Sequence, residues 1–272
     1  MDELFSIKGT DKFYEDVRNE TLEWHQEAKT YWQATYEMHH RLLDNNFPSA
    51  LSKDSYSRLW ELTQAEFLAQ HCKYGLQFMK MSGKNVSKPD FCFTINEEMF
   101  YIEATCPNTG NCLALNDQRF NVAKKVPITE NMERFCSAIN EKGDKKYHAS
   151  YKKYMNRDSG LILSISLAKI PLLNQTLNFE NELRCIFGMS PLTIPIIEDN
   201  SSRKMGSPYY KAQQSFQKKT INHNKRSMIK TNYFSCPEYS HISAILISYN
   251  ECVFFSWCRQ IFSFCKLGAL SK

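Results

Sequence analysis

Two short runs joined by Asn96-Glu97-Glu98 constrain this chain more than any other feature. Asp90 to Ile95 and Met99 to Thr105 are rich in aromatic and β-branched residues, and they read as a β-hairpin. If Asn96-Glu97 is a two-residue turn, Ile95 faces Glu98 and the numbers of paired residues sum to 193. Phe91, Phe93, Ile95, Phe100, Ile102 and Ala104, all apolar, then share one face. A slip of one residue would break that segregation, so the register is well specified.

The same register sets Asp90 opposite Glu103 on the other face. Cross-strand neighbours lie about 4.5–5.5 Å apart at Cβ. Two carboxylates that close repel each other unless a cation lies between them. Hard divalent cations such as Mg²⁺ or Mn²⁺ take oxygen ligands of this kind. The plain alternative is a solvated Asp90 at a strand start and a Glu103 facing water. Three features favour the site. Pro89 fixes the backbone before Asp90, the small Ala104 and Thr105 follow Glu103, and Glu61 adds a third acid within an apolar helix stretch.

Pro89-Asp90, twelve residues, then Glu103-Ala104-Thr105 resembles the PD-(D/E)XK, or restriction-endonuclease-like, nuclease superfamily, and in particular its uncharacterised bacterial members. Arg58-Leu59-Trp60-Glu61-Leu62 resembles the superfamily's first core helix, and Arg134 through Ser137-Ala138-Ile139 to Lys142 the helix after the active-site hairpin. The resemblance covers about residues 53–167 and, more weakly, 234–248. It implies an α+β mixed sheet flanked by helices at 51–272, with a basic insertion at about 190–240 and a helical extension at 1–50. It also implies hydrolysis of nucleic-acid phosphodiesters, with Asp90 and Glu103 holding Mg²⁺ or Mn²⁺ and Glu61 assisting. The superfamily's lysine, two residues after the glutamate, is Thr105 here. Either a lysine arrives from elsewhere or the fold is an inactive binding or effector module. Lys88 lies opposite Thr105 in the derived register, and Lys142 on the following helix is the second candidate.

Charge is distributed unevenly. Arg203, Lys204, Lys211, Lys218, Lys219, Lys225, Arg226 and Lys230 occur with no acid between Asn200 and Ser235, so of the net +5 the rest of the chain carries −3. A second basic run holds Lys142, Lys145, Lys146, Lys152, Lys153 and Arg157. Such fields attract polyanions, DNA ahead of RNA in this reading, although each run alone also suits a solvated face. A protein partner is expected if the site is inactive, and the long N-terminal helix could pair with itself in a homodimer. The acidic start Met1-Asp2-Glu3 is unlike a cleaved signal peptide, and Val253 to Leu267 is too short to span a bilayer. The expectation is a cytoplasmic protein, or one exported without a cleavable signal. Ten cysteines without a C-x-x-C pair read as reduced thiols, including Cys252, Cys258 and Cys265. There is no Walker loop, G-x-S-x-G or H-E-x-x-H to suggest other chemistry.

Along the chain, Thr10-Asp11 starts one long helix or two stacked ones running to Asn45-Asn46, broken by Pro48-Ser49. A second helix begins near Ser52-Lys53-Asp54. Leu76 to Met79 is a short strand, Thr129 to Lys142 and Lys145 to Met155 are helical, and Gly160 to Leu167 is a buried strand. Phe179 to Phe187 is weakly helical, Pro191 to Ser240 mostly loop, and Ile242 to Tyr249 a strand. Replacing Lys218, Lys219, Lys225 and Arg226 with alanine is expected to weaken nucleic-acid binding and flatten its salt dependence. Unchanged affinity and slope would make that segment a solvated surface only.

Overall fold

The structure is a computed structural model, and it describes residues 3–71, 77–80, 88–95, 97–108, 128–156, 159–170, 180–187, 220–223, 227–248 and 263–264. The chain is mixed α/β. A six-stranded sheet runs in the order β1-β2-β3-β4-β7-β8. Its strands are β1 Gln77–Lys80, β2 Phe91–Ile95, β3 Glu98–Thr105, β4 Gly160–Ser166, β7 Ile242–Ser248 and β8 Ser263–Phe264. The centre, β3-β4-β7, is parallel, and β1, β2 and β8 run antiparallel to their neighbours. A separate hairpin pairs β5 Thr220–His223 with β6 Ser227–Lys230.

The β2–β3 register is the one the alternation dictates: Phe91 pairs with Ile102, Phe93 with Phe100 and Ile95 with Glu98. Glu97 turns the chain with φ of 70°, in the left-handed region that tight hairpins need. Both sheet faces are covered. Phe91, Phe93 and Ile102 pack beneath the N-terminal helices, while Cys92 and Tyr101 join the core on the opposite face. β4, buried nearly throughout, shows why a parallel central strand reads as a continuous apolar run.

The N-terminal helices are α1 Lys12–Arg18, α2 Glu23–His39, α3 Phe47–Leu51 and α4 Ser55–His71. The periodic stretch is thus two helices, separated where Glu20 takes φ of 53°. Pro48 opens α3 instead of ending a helix, since a first-turn proline gives up no helical hydrogen bond. Asp11 caps α1 by accepting from the Tyr14 N–H at 3.0 Å and also accepts from the Ser55 hydroxyl at 2.6 Å, joining the start of α1 to the start of α4. Trp60 of α4, fully buried, donates its indole N–H to the Ser164 carbonyl of β4 at 3.0 Å. Residues 3–51 therefore share their core with α4, β2 and β3 and are no separate layer.

On the other face lie α5 Ile128–Ile139, a π-helical segment Asn140–Lys145 and α6 Lys146–Ala149, with α7 Glu180–Phe187 against α5. The two helices expected at 129–142 and 145–155 are one continuous path through the π segment. Gly143 makes that path possible: a Cβ there would lie 2.7 Å from Ile242 Cδ1 and 3.1 Å from Leu163 Cδ1. Both methyl groups sit in the core, so they have little room to retreat. Gly143→Val is expected to cost about 2 kcal/mol or more through overpacking. Urea unfolding checks this, and a wild-type midpoint would show that the segment is not held against β4 and β7.

Candidate functional site

At the C-terminal end of β3 the fold opens into a cavity of about 390 Å³. Ligands in open α/β sheets bind at this end of parallel strands. One wall is the start of α4, the floor is Glu103 to Cys106, and the other wall is α5 with its π continuation. Asp90, Glu103 and Glu61 all border it, as do Lys88, Thr105 and Lys142.

Glu103 is 2% exposed and does not face water. Its Oε1 is 2.5 Å from the Lys142 ammonium and 3.5 Å from that of Lys146. Its Oε2 is buried with no partner among the described residues. The π segment is what aims both lysines at one carboxylate, by carrying them over the end of β3 on a backbone that Gly143 lets sit close. Burial alone would lower the Lys142 pKa, but the Glu103 charge and hydrogen bond outweigh it and lift it to about 12. Lys146 goes the other way: burial lowers it, and the neighbouring Lys142 adds to that against the pull of Glu103.

Asp90 stands one residue before β2, just outside the ladder, and its Oδ2 accepts from the Ala104 N–H at 2.7 Å. Part of the residue's surface is exposed, yet its carboxyl is deep enough for burial to be the main force on it. Burial, then the Glu103 and Glu61 charges, hold its pKa well above the ordinary carboxylate range. Glu61, 6% exposed, pairs with Arg58 at 2.5 Å, but burial still raises its pKa. Asp90 and Glu61 thus both feel the charge of Glu103. Even so, among the described residues no group of three or more His, Cys, Asp or Glu is arranged to hold a metal ion.

Lys88 departs from its expected place. β2 begins only at Phe91, so Lys88 is not laddered against Thr105, and its ammonium lies 3.9 Å from Asp44 in the α2–α3 connection. Lys142, the second candidate, is the lysine that reaches an acid of the site. The sequence reading missed Lys146 and Arg58 here. A signal for Lys146 existed in its i, i+4 spacing from Lys142. Lys218, Lys219, Lys225 and Arg226, and likewise Cys252, Cys258 and Cys265, lie outside the described residues. Lys230 is described, exposed, and 3.6 Å from Glu238. No helix among the described residues is long and apolar enough to cross a membrane. No protein-family model, curated protein or solved structure matches the chain.

The raised Asp90 pKa has a consequence for stability. A carboxyl protonated more readily when folded contributes most below its unfolded pKa, and that contribution is lost as pH rises through the folded value. Asp90→Asn keeps an acceptor for the Ala104 N–H and removes the charge. Its stability is expected to match wild type near pH 4 and exceed it increasingly towards neutral pH. Urea unfolding across that range measures the difference, and a variant less stable than wild type at pH 8 would contradict it.

Proposed function

We propose that this cavity is the active site of a metal-dependent nuclease, as the likeness of Pro89-Asp90 and Glu103-Ala104-Thr105 to the PD-(D/E)XK pattern suggests. The observation that carries the reading is the buried Oε2 of Glu103, without a partner among the described residues, in the same cavity as Asp90 and an ammonium group. Mg²⁺ or Mn²⁺ bound there would activate a water and stabilise charge on the scissile phosphate. Asp90 and Glu103 would hold the ion. The raised Asp90 pKa fits this: burial raises it first and the Glu103 and Glu61 charges second, and a bound cation would offset both. Glu61, held by Arg58, would stand behind them. Lys142 supplies the ammonium that Thr105 cannot, aimed from the π segment instead of from β3. A charge acts by where it sits in the transition state, whichever element carries it. Lys146 keeps Glu103 oriented from the next turn.

A second reading has its own support. Glu103 is already neutralised by two lysines, and no three-ligand group is preformed. That pattern suits an inactive nuclease-like fold used to bind nucleic acid or a protein.

Cleavage of plasmid DNA and of RNA with millimolar Mg²⁺ or Mn²⁺ separates the two readings. The nuclease reading expects metal-dependent cleavage, its loss in Asp90→Asn and Glu103→Gln, a fall of about 10²–10³ in Lys142→Ala, and little change in Lys88→Ala. No cleavage, together with no rise in melting temperature at millimolar Mn²⁺, would leave the binding module.

A further inference from the structure

The cations bordering the cavity can be accounted for one by one. Arg58 pairs with Glu61, Lys142 and Lys146 with Glu103, and Lys88 with Asp44 outside the cavity. Arg134, on α5, is left over. Among the described residues no acid pairs with it, although Glu130 lies one helical turn away, and its Nε is buried without a hydrogen-bond acceptor. A buried charged donor with no acceptor is costly, so its persistence in a cavity wall asks for an acceptor that arrives with a ligand. Arg134, Ala138, Lys142 and Lys146 follow one another at four-residue steps and border the same cavity. Guanidinium presents a planar fork of donors that suits phosphate oxygens.

We infer that Arg134 is an anion anchor of the cavity, binding one phosphate group of a polyphosphate ligand through a guanidinium whose buried Nε has no acceptor among the described residues. On the nuclease reading, on which the nucleic-acid identity of that ligand rests, Arg134 is a substrate-positioning residue. Two helical turns separate it from Lys142, roughly 12 Å along the axis. A strand in duplex advances 3.4 Å of axis per phosphate, so the gap corresponds to about three or four phosphates. Arg134 thus grips the strand away from the phosphate beside Lys142 and contributes to affinity, leaving the chemistry to the acids and Lys142.

The test uses the full chain and two probes without metal: inorganic tripolyphosphate, followed by calorimetry, and a short fluorescent oligonucleotide, followed by anisotropy at several salt concentrations. Wild type is expected to bind both. Arg134→Ala is expected to bind each about tenfold more weakly and to lose roughly 0.7–0.9 from the salt slope on the oligonucleotide, with Arg134→Lys restoring most of the slope. In cleavage assays Arg134→Ala should raise KM and leave kcat nearly unchanged. A melting temperature within a few degrees of wild type confirms that the variant folds, and if it does not fold the Arg134→Lys measurement decides. Tripolyphosphate bound through Arg134 with no binding of oligonucleotide would uphold the anchor and count against the nuclease. Equal binding and equal slope in wild type and Arg134→Ala, or no binding of either probe by wild type, would overturn the anchor.

Discussion

The carboxylate of Glu103 lies under the ammonium of Lys142 at the end of a buried strand, and the rest of the cavity is arranged around that contact. A charge taken out of water this far costs several kcal/mol unless it is closely paired, and even a good pair only about breaks even against an apolar substitute. The fold nevertheless commits β3, the π segment and Gly143 to making the pair. β3 must be central and parallel to carry Glu103 inward. The π segment must ride close on β4 and β7 to bring Lys142 above it. Covering one sheet face with the N-terminal helices also brings Glu61 of α4 to the same end of the sheet.

Such an arrangement favours function over stability. The Glu103 charge raises the cost of Asp90 and Glu61, and among the described residues one Glu103 oxygen and the buried Nε of Arg134 are without a partner. Locally unfavourable groups of this kind gather at sites that wait for a ligand, where the surrounding packing holds them in place. Here that packing includes the fully buried Trp60, Phe91 and Phe135 and the apolar length of β4.

Much of this was legible in the sequence because it depends on short-range pattern. The period-two alternation of Phe91, Phe93, Phe100 and Ile102 determines the hairpin register, and with it the relation of Asp90 to Glu103. The apolar run from Gly160 announces a central strand, and Asp11 a helix start. What escaped depends on close approach between distant segments. Lys88 has the right number for a place opposite Thr105, but the strand begins at Phe91, and the Lys88 ammonium lies 3.9 Å from Asp44, forty-four residues earlier. The aim of Lys142 and Lys146 depends on a π-helical distortion and on the space beside Gly143, and neither leaves a periodic trace. The reading of Pro48 as a break failed because a proline in a first turn and a proline after a last turn look alike in sequence.

The decisive measurement is a crystal structure of the chain grown with Mn²⁺, using the metal's anomalous signal. If the cavity is a metal-dependent catalytic centre, one anomalous peak lies between Asp90 and the free oxygen of Glu103, and Lys142 has moved off Glu103 towards the open cavity. An undisturbed Lys142–Glu103 pair with no anomalous density at saturating Mn²⁺ would contradict it.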